Sequence, residues 1–108
     1  MYFYDVQKRQ SKELCEGVST RTFWGENMLV SLVEIDAHSE VPAHSHPHEQ
    51  AGIVIQGELE MWIGPRMRLL KEGDCFIVPP DVEHRVTTSV SSCKVADIFS
   101  PVREEYKY

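Results

Sequence analysis

The chain has 108 residues, 17 of them acidic and 11 basic, and a formal net charge of −6. That length allows one domain around a single core, and an acidic chain with no basic cluster is not expected to bind nucleic acid. No apolar run approaches the ~18 residues of a membrane span and the first residues lack the pattern of a secretion signal, so a cytoplasmic protein without a membrane partner is predicted.

The first third of the chain predicts an edge segment followed by a β-hairpin. Residues 1–17 mix aromatic and charged side chains without a period, which suggests an N-terminal extension or edge strand, with 11–15 as a short helical turn or loop. Residues 18–23 and 28–35 are rich in β-branched and aromatic side chains, and turn residues stand between them at 24–27. Two paired strands are therefore expected there.

The remainder of the chain predicts more short strands and no helix. Residues 51–55 are apolar without alternation, which predicts a strand covered on both faces and hence a homodimer. Residues 59–63 alternate apolar and acidic side chains, as a half-exposed strand does. The pattern indicates an all-β, single-domain fold over 1–108, a small barrel or jelly roll with a C-terminal tail at 100–108. Further strands, separated by glycine, proline or polar turns, are expected at 66–70, 75–78, 85–88 and 93–99.

The five histidines of the chain are unevenly distributed, and three of them stand at 44, 46 and 48. In an extended strand, residues two apart point to the same side, so the imidazoles of His44 and His46 can reach one cation together. A solvated strand edge explains the same spacing, and spacing alone leaves both alternatives open. We expect His48, which follows Pro47, to point away from the cation toward a neighbouring strand or subunit.

The residues around this cluster resemble the two motifs of the cupin family. One motif has two histidines two apart, then an acid or amide and a glycine; the other has a glycine, a proline and a histidine. Here they are His44, His46, Gln50 and Gly57, and then Gly73, Pro79 and His84. The resemblance implies a small β-barrel holding one divalent transition metal, which the ligand types leave open among Zn, Ni, Fe, Mn and Co. The implied metal ligands are His44, His46, Gln50 and His84.

The chain departs from the family pattern at four positions. His38 and Asp81 stand where glycine is usual, and both residue types tolerate a positive φ better than most, so turns remain expected there. Thr88 replaces an asparagine, and Gln50 replaces the commoner glutamate. A neutral amide leaves the double charge of the metal uncompensated, which favours Lewis acidity.

The last predicted strand offers Asp97 and Phe99 on one face, with Arg103 shortly after it. If that face is interior, a carboxylate lies near the metal, where burial without partners is costly and suggests function. If that face is exterior, Arg103 belongs to a solvated charged tail. The spacing of these residues is compatible with either orientation. The ending Asp97-x-Phe99 with Arg103 narrows the resemblance to the small KdgF cupins, the pectin degradation proteins.

That resemblance implies an isomerase or lyase type of enzyme with a small anionic sugar as substrate. The implied reaction is metal-dependent ring opening and ketonisation of 4,5-unsaturated monouronates from pectin or alginate to linear 5-keto-4-deoxyuronate. Arg103 would hold the substrate carboxylate, Asp97 would move a proton and Phe99 would pack on the sugar. Two other functions remain open: a small metal-dependent dioxygenase, which would take up oxygen, and a non-catalytic sugar- or anion-binding cupin, which would not consume its ligand.

Overall fold

The computed structural model describes residues 2–108, and nearly all of its regular structure is β-strand. Two single-turn 3-10 helices, Val6–Lys8 and Glu104–Tyr106, flank the strands. Within residues 2–108, no helix has the length and apolarity needed to cross a membrane. The ten strands are β1 (Lys12–Cys15), β2 (Val18–Trp24), β3 (Leu29–Ile35), β4 (Glu40–His44), β5 (Glu49–Gln56), β6 (Leu59–Ile63), β7 (Arg66–Leu70), β8 (Cys75–Val78), β9 (His84–Thr87) and β10 (Cys93–Ser100).

The strands form two antiparallel sheets that face each other. The larger sheet has the order β1-β2-β3-β10-β5-β8, and the smaller has the order β4-β9-β6-β7. Neighbours in space are often distant in sequence, as in the pairing of β10 with both β3 and β5. This architecture is a small β-sandwich of the jelly-roll type, so the prediction of an all-β, single-domain fold is confirmed.

Alternating burial explains why these segments form strands. In β3, every second residue from Leu29 to Ile35 is buried, and the side chains between them are more exposed. A smaller cluster of Leu29, Phe99 and Val102 closes one end of the sandwich, so the segment after β10 packs on the protein. The main core between the sheets contains Val18, Val33, Ile35, Val54, Leu59, Met61, Leu70, Val78, Cys93 and Val95.

The expected helical turn or loop at 11–15 is wrong. Lys12–Cys15 is β1, which pairs with β2 at the edge of the larger sheet. The helical turn lies earlier, at Val6–Lys8, where the Asp5 carboxylate accepts a hydrogen bond from the N–H of Gln7 at 3.1 Å. An exposed edge strand needs no apolar face, so β1 carries no alternation by which a sequence pattern could reveal it.

The strand at 51–55 is not covered on both faces by this chain. In β5 the residues from Gln50 to Val54 alternate, and Ile53 and Ile55 are 41% and 46% exposed. Because the outward positions also carry apolar residues, the alternation of burial along β5 is not visible in the sequence. Ile77 of β8 and Ile98 of β10 are also exposed. We call the outer surface formed by Ile53, Ile55, Ile77 and Ile98 the isoleucine patch.

We propose that a second copy of the chain covers the isoleucine patch, because exposed contiguous apolar surface commonly marks an interface. Light scattering at micromolar concentration should give about twice the chain mass of 12.4 kDa. Ile53→Lys should yield a monomer, whereas Met67→Lys, at an exposed apolar position on β7, should leave the dimer intact. A monomeric unsubstituted protein would contradict the proposal.

Candidate metal centre and active site

Strand pairing brings two of the histidines together. His44 ends β4, His84 begins β9, and the two are direct partners in the antiparallel register. Their ring centroids are 4.2 Å apart, and His46, in the loop after β4, places its ring 5.8 Å from that of His44 and 5.0 Å from that of His84. The three residues offer ligand nitrogens that all lie within 4.8 Å of one another. They could therefore bind one metal ion together.

Each of the three rings is oriented by a backbone carbonyl. A carbonyl only accepts hydrogen bonds, so the Nδ1 atom that faces it carries the proton. A neutral imidazole then keeps its lone pair on Nε2, as a metal ligand requires, and such backbone hydrogen bonds are the usual support of histidine ligands. The Nδ1–H donors and their acceptors are His44 to Pro42 O (2.9 Å), His46 to His48 O (3.0 Å) and His84 to Val82 O (2.9 Å).

Burial favours the neutral form of two of these rings. The pKa of His84 is lowered to about 4, mainly by burial, although the hydrogen bond to Val82 opposes the change. The pKa of His46 is also lowered, first by burial and then by the charge of Arg103. In addition, Nε2 of His84 is buried without a hydrogen-bond partner within residues 2–108. A buried acceptor without a partner is costly, so this atom fits a metal ligand.

Gln50 adds an oxygen from the opposite sheet. It lies on β5, its side chain is buried, and its Oε1 is 3.1 Å from Nε2 of His46. Because Nδ1 of His46 carries the proton of the neutral ring, its Nε2 lone pair faces the Gln50 amide oxygen, and a metal ion bound by both atoms would fit this approach. Three imidazole nitrogens and one amide oxygen are a donor set that fits a divalent transition metal.

Two left-handed turns hold the loops beside this centre. The turns expected at His38 and Asp81 are confirmed, with φ of 56° and 66°. The N–H of Asp81 donates to the carbonyl of His46 at 2.8 Å, which fixes the loop that carries this ring. Thr88 accepts a hydrogen bond from the N–H of Ser39 at 3.1 Å and donates one to the carbonyl of Asp36, so it ties the end of β9 to the turn at His38.

Asp97 faces the interior from the middle of β10. It lines the same cavity as His44, His84 and Gln50, and its Oδ1 is buried with no hydrogen-bond partner in the described part of the chain. Burial raises the pKa of Asp97 to about 7, although the Gln50 amide and the Arg103 guanidinium act in the opposite direction. A carboxyl group with such a pKa can take up and release a proton near neutral pH.

Arg103 lies in the segment that folds back over the cavity, and its side chain is only 12% exposed. Its guanidinium carbon is 3.9 Å from the ring centroid of Tyr106 and 5.1 Å from that of Phe99. Its Nε donates to Oε1 of Glu105 at 2.8 Å. Phe99 is buried and packs edge-on against the ring of His46, with centroids 5.4 Å apart. The solvated-tail alternative therefore does not describe Arg103.

The structure brings together all the predicted site residues and adds others. His48 lies outside the three-histidine group, but its ring packs near those of His46 and Phe99, at 5.6 Å and 6.4 Å. His48 is therefore not one of the candidate ligands, as expected, although its ring lies beside that of His46. Tyr106 was missed, and the only signal for it was an aromatic residue in an otherwise charged tail.

Comparisons with known proteins identify the family of the chain. The model of the cupin domain family matches residues 31–99. The pectin degradation protein KdgF of Dickeya dadantii is 26% identical over 107 residues, which cover 97% of this chain and 96% of that protein. The H2HPP isomerase of Bacillus subtilis is 36% identical over 56 residues, which cover 51% of this chain and 24% of that protein.

Solved structures share the architecture. An RmlC-like cupin from Shewanella frigidimarina has a TM-score of 0.91 at 24% identity, with coverage of 98% of this chain and 96% of that one. KdgF from Halomonas sp. has a TM-score of 0.89 at 24% identity, with 97% of each chain covered. At these identities the likeness establishes the fold. Because the family model spans more than half of the sequence, the chain belongs to the cupin family.

Proposed function

We propose that this cupin catalyses the metal-dependent ring opening and ketonisation of 4,5-unsaturated monouronates released from pectin or alginate. The observation that carries the proposal is the placement of Asp97 and Arg103 in one cavity with histidines that could hold a metal ion. A half-buried carboxyl group and a half-buried guanidinium beside a candidate metal centre suit the transfer of a proton within an anionic substrate. The similarity to KdgF proteins supports the choice of substrate.

The proposed reaction is an isomerisation that needs no oxidant. The substrate is a cyclic hemiacetal whose ring oxygen is attached to the C4–C5 double bond. When the O1–H proton leaves, a C1 carbonyl forms and the C1–O5 bond breaks, so its electrons move to O5 as an enolate. The enolate becomes the C5 ketone as C4 takes up a proton. One proton leaves O1 and one arrives at C4, so a single proton-transfer group can serve both steps.

Asp97 is the proton carrier in this proposal. As a carboxylate it accepts the O1 proton, and as the carboxylic acid it delivers a proton to C4. The raised pKa of Asp97, about 7, keeps both forms accessible near neutral pH. No other carboxylate lines this cavity within residues 2–108.

Arg103 holds the substrate carboxylate. Its side chain is largely shielded from water, which strengthens an ion pair with a ligand, and a guanidinium matches the two oxygens of a carboxylate. A metal held by His44, His46, Gln50 and His84 would supply Lewis acidity toward a substrate oxygen. The pocket is thus locally cationic in an acidic protein, as binding of an anionic sugar requires.

The test is to incubate metal-loaded protein with unsaturated monouronates produced by pectin and alginate lyases. Their ultraviolet absorbance should disappear faster than it does spontaneously, and nuclear magnetic resonance should show the linear 5-keto product. Dissolved oxygen should stay constant, which distinguishes this reaction from that of a dioxygenase. Loss of absorbance at only the spontaneous rate for every unsaturated monouronate would contradict the proposal.

Arg103→Ala should raise KM about 10- to 100-fold with a smaller change in kcat, the scale expected for loss of charge-assisted hydrogen bonds to the substrate. Steady-state kinetics on the same substrate measures both constants. Arg85→Ala is the matched control, since Arg85 lies over Trp62 and pairs with Glu40 at the surface. An unchanged KM in Arg103→Ala would remove Arg103 from substrate binding.

A further inference from the structure

We propose that Glu105 and Tyr106 form a clamp that holds the Arg103 guanidinium in one orientation. In that orientation its two terminal nitrogens, Nη1 and Nη2, can bind both oxygens of a ligand carboxylate. This inference rests on the proposed function, because it concerns how the same site recognises its substrate. Glu105 and Tyr106 are positioning residues in this proposal, since they act through Arg103.

The clamp fixes the guanidinium in two ways. Glu105 occupies one edge of the group, because its Oε1 accepts from Nε of Arg103 at 2.8 Å. Tyr106 occupies one face, with its ring centroid 3.9 Å from the guanidinium carbon. The two terminal nitrogens of Arg103 donate to no other residue in 2–108, and Arg103 lines the cavity. The edge that remains is therefore the one formed by Nη1 and Nη2, which can bind both oxygens of a carboxylate.

The clamp is anchored to the larger sheet. The N–H of Tyr106 donates to the carbonyl of Arg103 at 2.9 Å, which closes the single turn after β10. The hydroxyl of Thr22, a buried residue of β2, donates to the carbonyl of Tyr106 at 2.6 Å. The ring of Tyr106 also packs edge-on against that of Phe99, with centroids 5.6 Å apart. The short turn is thus held by the core and does not depend on solvent-exposed contacts alone.

Fixing the arginine before binding has an energetic consequence. A long, mobile side chain loses conformational entropy when it binds a ligand, and a side chain that is already ordered loses less. The negative charge of Glu105 has the opposite effect, because it repels an incoming carboxylate. The two effects can be separated by substitution: Glu105→Gln removes the charge and keeps an acceptor for Nε, whereas Glu105→Ala removes both.

Binding of D-galacturonate to the metal-loaded protein, measured by calorimetry at low ionic strength, tests the clamp. This saturated uronate lacks the double bond that reacts, and D-galactose is its uncharged counterpart. The unsubstituted protein should bind galacturonate at least about 10-fold more tightly than galactose, as a charge-assisted carboxylate contact predicts. Glu105→Ala should weaken galacturonate binding by about 10-fold, and Glu105→Gln should stay within about 3-fold of the unsubstituted protein.

Matched substitutions separate the clamp from general effects on the turn. Glu104→Ala removes a neighbouring carboxylate that pairs with Lys107 at 2.9 Å, and it should leave galacturonate binding unchanged. Tyr106→Phe keeps the ring over Arg103 and should also bind normally, whereas Tyr106→Leu should weaken binding. With the unsaturated substrate, Glu105→Ala should raise KM by the same factor as Kd and leave kcat unchanged.

Two results would overturn the clamp: galacturonate binding by Glu105→Ala that equals or exceeds that of the unsubstituted protein, and equal binding of galacturonate and galactose by the unsubstituted protein. The proposed reaction is decided separately by turnover. A protein whose galacturonate binding depends on Glu105 as described, but which does not convert unsaturated monouronates, would retain the clamp and lose the proposed function.

Discussion

Replacing His44 and His84 together with alanine is expected to abolish metal binding. The unsubstituted protein should carry roughly one divalent transition metal per chain after dialysis, and the double variant less than about a tenth of that. The physical reason is that His44 and His84 are direct strand partners, and their removal leaves only His46 and Gln50 of the proposed ligands. Elemental analysis of the purified proteins gives the stoichiometry.

Replacing a histidine outside the candidate site tests whether loss of metal is specific to the site or follows the removal of any histidine. His38 is exposed and holds a left-handed turn with φ of 56°, a conformation that asparagine also tolerates. His38→Asn should therefore keep full metal content. Circular dichroism should show β-structure in both variants. A folded double variant that still holds one metal per chain would exclude the three-histidine site.

Asp97→Asn is expected to lower kcat for an unsaturated monouronate at least ~100-fold, the usual contribution of a general acid or base. Asparagine has nearly the same size and can still form hydrogen bonds, so it creates no cavity in the sandwich. It cannot accept a proton from O1 or deliver one to C4. Activity is measured as loss of ultraviolet absorbance, with the spontaneous rate subtracted.

The Asp97→Asn variant should keep its metal and its melting temperature close to those of the unsubstituted protein, because the metal ligands are unchanged. Asp36→Asn is a suitable control, since the side chain of Asp36 is exposed and only its backbone carbonyl takes part in the turn near His38. Full activity in a metal-replete Asp97→Asn protein would mean that another group carries the proton, even if the reaction itself is as proposed.

The strands of the sandwich could be predicted where an alternating pattern or a turn residue marks them locally. The hairpin of β2 and β3 and the short strand β7 are examples, since their limits depend on nearby residues. β5 and β1 show where such patterns give no answer. The outward residues of β5, Ile53 and Ile55, are as apolar as its core residues. Strand β1, at the edge of the sheet, has few apolar side chains and therefore shows no alternating pattern. Burial in these strands depends on neighbours that sequence patterns do not reveal.

The candidate metal ligands could also be predicted from the sequence, because the spacing of His44 and His46 and the motif around His84 are local features. The rest of the site depends on how distant parts of the chain meet. Asp97 points inward because it shares a face of β10 with Val95 and Phe99, which are buried between the two sheets. The contacts of Glu105 and Tyr106 with Arg103 require the chain after β10 to fold back, and a charged tail in the sequence gives no sign of that.

Return of metal to metal-free protein tests most directly whether the histidine centre and the uronate reaction belong together. Chelator-treated protein would be titrated with Zn, Ni, Fe, Mn or Co in turn, while conversion of a 4,5-unsaturated monouronate is followed by absorbance. The rate should rise in proportion to the added metal and level off near about one equivalent per chain for at least one of these metals. Metal-free protein that is as active as the loaded form, or loaded protein no faster than the spontaneous reaction, would contradict the proposed metal-dependent function.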